Sequence, residues 1–273
     1  MFLFYIALHT TNMQHLIQTI YQRSPELAAL GLAHFIALAI FGILSLVDNR
    51  ILLGVNVWIK PMKFAVSIAI YAWTMAWFVG YLPESGIKNA VVWTIIVTMA
   101  IETICIAGQA GRGVLSHFNV ATPWDGAIFT TMGIAITINT FAVMVAAWLF
   151  FQELPVVLEP AYLWAIRLGL IIFVIASWEG FLMASRLQHS VGAPDGSAGL
   201  PFLNWSKSVG DLRVAHFIGL HAIQVLPLTA FFLAGRVSPQ NALVAVIVMA
   251  LVYAILCILA FLQALAGVPL LKS

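Results

Sequence analysis

The chain contains repeated apolar stretches that are long enough to cross a lipid bilayer. The first, from Leu27 to Val47, runs for 21 residues without an Asp, Glu, Lys or Arg, and six stretches of similar character follow. A helix needs about 20 apolar residues to span the hydrocarbon core, and it satisfies its backbone hydrogen bonds internally, as lipid requires. The pattern predicts an all-α polytopic membrane protein, a bundle of seven transmembrane helices.

The composition excludes an ordinary soluble enzyme domain. Hydrophobic residues make up 63% of the chain and charged residues 8%, whereas about 25% of a soluble domain is charged. The formal net charge of +2 is too small to indicate a nucleic-acid partner. Cys105 and Cys257 both fall within apolar stretches, far apart in sequence, and are interpreted as buried apolar residues instead of a disulfide or metal site.

We predict two regions, an interfacial N-terminal segment (residues 1–22) and a single transmembrane domain (residues 23–273). The N-terminal segment mixes apolar residues with His9, Asn12 and Gln14, as interfacial helices do. Turns containing Pro or Gly separate most of the spans, and one long connection, 187–211, precedes the sixth. The predicted spans are 26–47, 61–82, 87–111, 124–151, 160–186, 212–235 and 240–264.

The distribution of basic residues predicts the orientation. Seven spans place the N-terminus on one side of the bilayer, here side A, and the C-terminus on the other, side B. Eight Lys or Arg residues lie near span ends on side B, against three on side A. Because basic residues favour the cytoplasmic side, we expect the N-terminus outside and the C-terminus in the cytoplasm.

Polar residues inside the spans indicate a functional region, because charges in hydrocarbon are costly and usually serve a purpose. They lie near the middle or in the side-B third of five predicted helices. We predict that they converge on a buried polar pocket that opens toward the cytoplasm. The candidate ligand-binding residues are Lys60, Lys63, Glu102, Gln109, Arg112, His117, Glu179, Arg186, Arg213, His216, His221 and Gln224.

Helical periodicity places several of these residues on common faces. Arg213, His216 and Gln224 fall within about 80° of arc on a straight helix, and Pro227 predicts a kink of the kind that borders cavities. Structural roles remain open for the same residues. Lysines at a span end also extend toward the membrane surface, and a membrane glutamate also forms a purely structural pair with a base.

Three functions fit these patterns. The first is binding of a small anionic or amphipathic ligand, for transport, sensing or lipid recognition. The second is an intramembrane metal- or haem-dependent redox enzyme with His117, His216 and His221 as ligands, although His216 and His221 lack the i, i+4 spacing of a ligand pair. The third is a structural or assembly subunit in which polar contacts fix the helix register.

Three strings of sequence carry a resemblance. They are WIKPMKF, QAGRGVLSHFN and DLRVAHFIGLH, which lie between the second and sixth spans. They resemble an uncharacterised family of bacterial multi-pass membrane proteins. The resemblance implies a location in a bacterial inner membrane and carries over no activity, cofactor or site residue.

Overall fold

The computed structural model describes residues 13–271, and most of this part of the chain is helical. Short antiparallel pairs join β1 (Ile51–Leu52) to β2 (Val55–Asn56) and β3 (Ser190–Val191) to β4 (Gly210–Asp211). The helices are α1 (Met13–Arg23), α2 (Pro25–Val47), α3 (Ile59–Val79), α4 (Gly86–Arg112), α5 (Pro123–Leu149), α6 (Pro160–Arg186), α7 (Arg213–Leu220), α8 (Ala222–Leu233) and α9 (Pro239–Leu265).

Six of the described helices, α2 to α6 and α9, are long and apolar enough to cross a membrane. Helices α7 and α8 pass the same test together, as one span bent by 42°, which gives up to seven spans. The protein is therefore a multi-pass helical membrane protein. Helix ends differ from the predicted span ends by three residues or fewer. Of the predicted interfacial segment, residues 13–22 belong to α1, and residues 1–12 lie outside the described residues.

Local sequence signals determine where these helices begin. Each of α2, α4, α5 and α9 follows a Ser or Thr whose hydroxyl oxygen accepts a hydrogen bond from a backbone N–H of the first turn. Proline occupies the start of α2, α5, α6 and α9, where its missing N–H costs nothing. The capping residues are Ser24, Ser85, Thr122 and Ser238.

The bend between α7 and α8 falls at His221, before the kink expected at Pro227. The Tyr253 hydroxyl of α9 donates a hydrogen bond to the carbonyl of Ile218, and His221 Nδ1 lies 2.8 Å from the carbonyl of Phe217. Side chains that bind carbonyls of a helix interrupt its regular ladder. The Tyr253 contact also satisfies a carbonyl at the break, as the bilayer requires.

Small residues bring α6 close to the broken span. A Cβ atom added at Gly219 of α7 would lie 2.2 Å from Cβ of Ala176, and one added at Gly169 would lie 3.0 Å from the carbonyl oxygen of Ala222. Close backbone approach through small residues is the usual packing of membrane helices. It fixes α7 firmly against α6.

The connections 48–58, 113–122 and 187–212 meet at one end of the bundle, the end that the sequence analysis assigns to side B. Arg50 Nη1 donates a hydrogen bond to the carbonyl of Gly111 over 3.0 Å, and the rings of Phe118 and His189 lie 6.5 Å apart. The long connection folds on itself through the β3–β4 pair and a bridge between Gly199 and Ser206. We call this region the B end.

At the opposite end, Arg23 anchors α1 to the bundle. Its guanidinium carbon lies 4.0 Å from the ring centre of Trp77 and 4.2 Å from that of Tyr81. Its Nη1 also donates to the carbonyl of Trp77. Cation–π contacts of this kind add to the hydrophobic packing. Arg23 therefore has a structural role.

Candidate functional site

Six of the candidate residues approach one another at the B end, where α3, α4 and α7 meet the loop 113–122. Lys60 interacts electrostatically with Lys63, Arg213 and Glu102. His117 interacts in the same way with Lys60 and with His216. We call these six residues the B-end cluster: Lys60, Lys63, Glu102, His117, Arg213 and His216.

Specific contacts orient the members of the cluster. Lys63 lies one turn after Lys60 on α3, and its Nζ donates a hydrogen bond to the carbonyl of Leu203 over 3.0 Å. His216 Nδ1 lies 2.9 Å from the carbonyl of Ala176 on α6. Because a carbonyl only accepts hydrogen bonds, that nitrogen carries the proton and leaves Nε2 as the other functional nitrogen. The cluster is thus tied to α6 and to the long connection as well.

The lysines of the cluster have no direct carboxylate partner. Six ion pairs occur among residues 13–271, and none of them includes Lys60, Lys63 or Glu102. Glu102 is 4% exposed and influences Lys60 through space. Lys60 therefore interacts with Glu102 and Asp195, and Lys63 with Asp211, only through space.

Asp211 is the partner of Arg213 and the centre of the polar contacts in the long connection. It is 2% exposed and accepts hydrogen bonds from Arg213 Nε over 2.9 Å, Arg213 Nη2 over 2.6 Å and the backbone N–H of Ser206 over 2.9 Å. Burial raises the pKa of Asp211, but the hydrogen bonds from Arg213 and His189 outweigh burial and hold the pKa well below its usual range. Asp211 is therefore a carboxylate at neutral pH.

Asp211, His189 and Asp195 are not among the twelve candidate residues predicted from the sequence. Asp211 could have been found from its position two residues before Arg213. His189 and Asp195 could not, because they lie in a connection with no helical periodicity. In the fold His189 lies 3.4 Å from Asp211 and 3.3 Å from Asp195. These three residues give the connection a folded polar interior.

Gln109 and Arg112 belong to a separate corner between α4 and α5. Gln109 Nε2 donates to Asp125 Oδ1 over 2.9 Å, and Arg112 Nη1 donates to the same oxygen over 2.6 Å. Thr122 Oγ1 donates to the other carboxylate oxygen over 2.7 Å. Asp125 thus fixes the turn between the two helices, and the hydrogen bonds of this corner are made within the protein.

The four remaining candidate residues lie apart from the cluster. Glu179 has one buried oxygen without a hydrogen-bond partner and interacts with Cys257 of α9. Gln224 Nε2 donates to Thr74 Oγ1 over 3.0 Å, and its amide oxygen is buried without a partner. Arg186 is exposed at the end of α6. The ring of His221 packs on that of Phe217, with 4.0 Å between centres.

The bend at His221 bears on the position of Gln224, which lies apart from Arg213 and His216. On a straight helix Arg213, His216 and Gln224 share a face, but a 42° bend separates α7, which carries Arg213 and His216, from α8, which carries Gln224. Gln224 therefore contacts α3 at Thr74, far along that helix from Lys60. The prediction of one continuous stripe did not include this break.

An open groove lies elsewhere on the bundle. It has a volume of about 520 Å³ and runs between α4 and α5, lined mainly by apolar side chains such as Trp93, Ile101 and Ile134. None of the twelve candidate residues lines it. A pocket at the B-end cluster therefore remains a prediction that rests on the side chains gathered there.

His117 lies in the loop 113–122, outside the spans, and its environment makes it neutral. Burial, followed by the nearby charges of Lys60 and His216, lowers the pKa of His117 well below its usual value. Its ring packs against Phe64 with 5.4 Å between centres, and its Nδ1 lies 3.1 Å from Ser116 Oγ. A neutral imidazole beside Lys60 avoids a further positive charge.

We expect acid to weaken the fold through His117. A histidine whose pKa is lowered on folding binds fewer protons than in the unfolded chain, so stability is lost as pH falls below about 6.5. Between pH 7.5 and 5.5 this loss amounts to about 1 kcal/mol for one residue. Thermal unfolding of wild type and His117→Gln at both pH values measures it. His117→Gln should lose that share of the pH dependence, whereas His15→Gln, on the exposed surface of α1, should retain it. The same pH dependence in wild type and His117→Gln would contradict the claim that His117 is neutral in the fold.

The structure does not favour the metal hypothesis. No group of three or more His, Cys, Asp or Glu side chains within residues 13–271 is arranged to hold a metal ion. His221 is directed toward Phe217 and does not join His117 and His216. The suggested ligand set of three histidines is therefore not assembled.

Comparisons with protein-family models, with curated proteins and with solved structures find no match in any of the three. The strongest local feature is the pair of lysines at the B end that form no ion pair within residues 13–271.

Proposed function

We propose that the protein binds a small anionic or amphipathic ligand at the B-end cluster, in the service of transport, sensing or lipid recognition. The observation that carries the proposal is that Lys60 and Lys63 approach Arg213 and that neither lysine forms an ion pair with any residue between 13 and 271. Gathering like charges at the edge of a bilayer costs free energy. A bound anion would offset that cost.

The chemistry of the cluster fits an oxyanion. Ammonium groups donate strong, charge-assisted hydrogen bonds to carboxylate or phosphate oxygens, and lysine adapts to a ligand because its stem is flexible. Glu102, about two turns of α4 before Gln109, would limit the positive charge that the site carries without a ligand. We further propose that the B end faces the cytoplasm, as the basic residues around it predict.

The proposal predicts that anions stabilise the wild-type protein and that Lys60→Gln removes the effect. A ligand at 100 times its Kd adds about 2.7 kcal/mol to the free energy of unfolding. We would titrate phosphate, succinate and oleate in turn into the purified protein in detergent and follow thermal unfolding. At least one should raise the Tm of the wild type, and Lys60→Gln should need at least about tenfold more of it, the equivalent of one lost charged contact.

Lys207→Gln is the matched control. Lys207 belongs to the long connection at the same end, and its side chain takes no part in the cluster. This variant should respond to the anion as the wild type does. An anion response that survives in Lys60→Gln, or equal loss in both variants, would count against binding at the cluster.

A further inference from the structure

Two backbone carbonyl groups of the long connection occupy positions where a ligand's oxygens would be expected. Lys63 Nζ donates to the carbonyl of Leu203 over 3.0 Å. Arg213 Nη2 donates to the carbonyl of the next residue, Asn204. Consecutive carbonyls thus bind two cations that lie close enough to repel each other.

We propose that residues 201–204 form a latch that closes the B-end cluster and that an oxyanion ligand opens it by replacing the carbonyl of Leu203 on Lys63. This inference rests on the proposed function and adds to it a regulatory element and a ligand class. The class is a group with at least two charged oxygens, a phosphate or a carboxylate.

The latch has a backbone conformation that other contacts must maintain. Phe202 and Asn204 have φ values of 61° and 54°, in the left-handed region that side chains other than glycine occupy at a cost. Asn tolerates this region because its short polar side chain can form local hydrogen bonds, whereas a Phe side chain forms none that would offset the cost. The Phe202 side chain is 45% exposed, so its own packing contributes little to holding the turn.

The hydrogen bonds of the turn are few and local. The N–H of Leu203 donates to the carbonyl of Pro201 over 2.7 Å, and the N–H of Asn204 donates to the carbonyl of Leu200 over 2.8 Å. The two cations supply the hydrogen bonds from α3 and α7 to the latch, and Trp205, the residue after it, packs on Phe217 of α7 with 5.4 Å between ring centres. A segment held by so few bonds is of the kind that opens locally.

The competition favours a charged ligand. A carbonyl oxygen carries a partial charge, whereas a phosphate or carboxylate carries a full one and forms the stronger hydrogen bond with an ammonium group. Arg213 keeps Asp211 as its ion-pair partner in either state. Lys63 forms no ion pair within residues 13–271 and interacts with Asp211 only through space, so it is the side chain that a ligand would draw away from the latch.

Amide hydrogen exchange on the full chain tests the latch directly. Exchange of the Leu203 and Asn204 amides would be followed by mass spectrometry in detergent with inorganic phosphate, and in nanodiscs of phosphatidylglycerol against phosphatidylcholine. We expect at least tenfold faster exchange at these two amides with phosphate, with phosphatidylglycerol, or with both, according to whether the ligand is soluble or a lipid headgroup. The loop 113–122 should not change.

A variant separates the latch from the ligand. Lys63→Met removes the donor and should accelerate exchange at Leu203 and Asn204 by at least tenfold without any anion, whereas Lys207→Met should leave it unchanged. If Lys63→Met does not fold, Lys63→Gln replaces it, because its shorter side chain falls short of the carbonyl. Unchanged exchange in the Lys63 variant would overturn the latch.

The outcomes also distinguish the two proposals. Phosphate or phosphatidylglycerol that raises the Tm without affecting exchange at Leu203 and Asn204 would overturn the latch and leave the anion site standing. Fast exchange in Lys63→Met, together with no response of Tm or exchange to either anion, would overturn opening by an oxyanion and count against the proposed function.

Discussion

Gly210→Ala is expected to destabilise the protein by about 3 kcal/mol, the upper part of the range for overpacking a tight site. Gly210 lies in β4, and an added Cβ atom would be 1.9 Å from the carbonyl oxygen of Ala264 and 2.8 Å from its carbonyl carbon. Both atoms belong to the backbone of α9, so no side-chain rotation relieves the clash. The long connection would have to move away from the bundle.

The same substitution should weaken anion binding, because Gly210 precedes Asp211, which holds Arg213. Unfolding in mixed micelles of SDS and a mild detergent measures the loss of stability. Gly108→Ala is the matched control, since Gly108 lies within α4 and an added Cβ atom there has no neighbour within 4 Å. That variant should be as stable as the wild type. Equal stability of Gly210→Ala and wild type would show that the long connection does not rest against α9 as described.

Asp211→Asn is expected to cost about 3–5 kcal/mol, the range for breaking a buried ion pair from one side. The substitution keeps the shape of the side chain and removes the charge that Arg213 faces from inside the connection. It also replaces one carboxylate oxygen by an amino group, so the side chain can no longer accept at both positions, from Ser206 N–H and Arg213 Nη2 at Oδ2 and from Arg213 Nε at Oδ1. SDS unfolding at pH 7 measures the difference from the wild type.

Asp48→Asn provides the comparison. Asp48 also pairs with an arginine two residues away at the same end of the bundle, but the Arg50 side chain is 48% exposed. Pairs at such exposed positions contribute about 1 kcal/mol or less, so this variant should change stability little. Similar losses in Asp48→Asn and Asp211→Asn would mean that burial of Asp211 is not the reason for its importance.

The Asp211 carboxylate also implies a dependence on pH. Because hydrogen bonds hold its pKa below the usual value of about 3.9, its contribution is complete above that pH and is lost as pH falls through the lower folded-state value. The resulting acid destabilisation, below about pH 4, is distinct from the one attributed to His117, which starts near pH 6.5. Asp211→Asn should reduce the lower of the two transitions, to which Asp48 also contributes because the hydrogen bonds from Arg50 lower its pKa.

The membrane helices were predictable because the bilayer imposes a simple rule on sequence. A span must be long, apolar and internally hydrogen-bonded, and Pro25, Pro123, Pro160 and Pro239 mark where four of the helices begin. The break at His221 was not predictable, because the contact beside it, from the Tyr253 hydroxyl of another helix to the carbonyl of Ile218, joins residues 35 positions apart in sequence. Tertiary contacts of that kind leave no periodic signal.

Part of the candidate site was predictable because the bilayer also restricts where charged residues occur. Lys60, Lys63 and Glu102 were identified because charge is rare in a span, and the fold brings them together with His117, Arg213 and His216. Depth in the membrane alone could not show that Gln109 and Arg112 bind Asp125 instead. Nor could it show that carbonyl groups of a loop, which every sequence contains, would bind Lys63 and Arg213.

Native mass spectrometry of the purified protein tests the central claim most directly. Wild-type protein released from detergent in the presence of a stabilising anion should retain one bound anion per chain, Lys207→Gln should do the same, and Lys60→Gln should appear without it. Anion retention that is equal in the wild type and Lys60→Gln would contradict the claim that the lysines at the start of α3 form a ligand site.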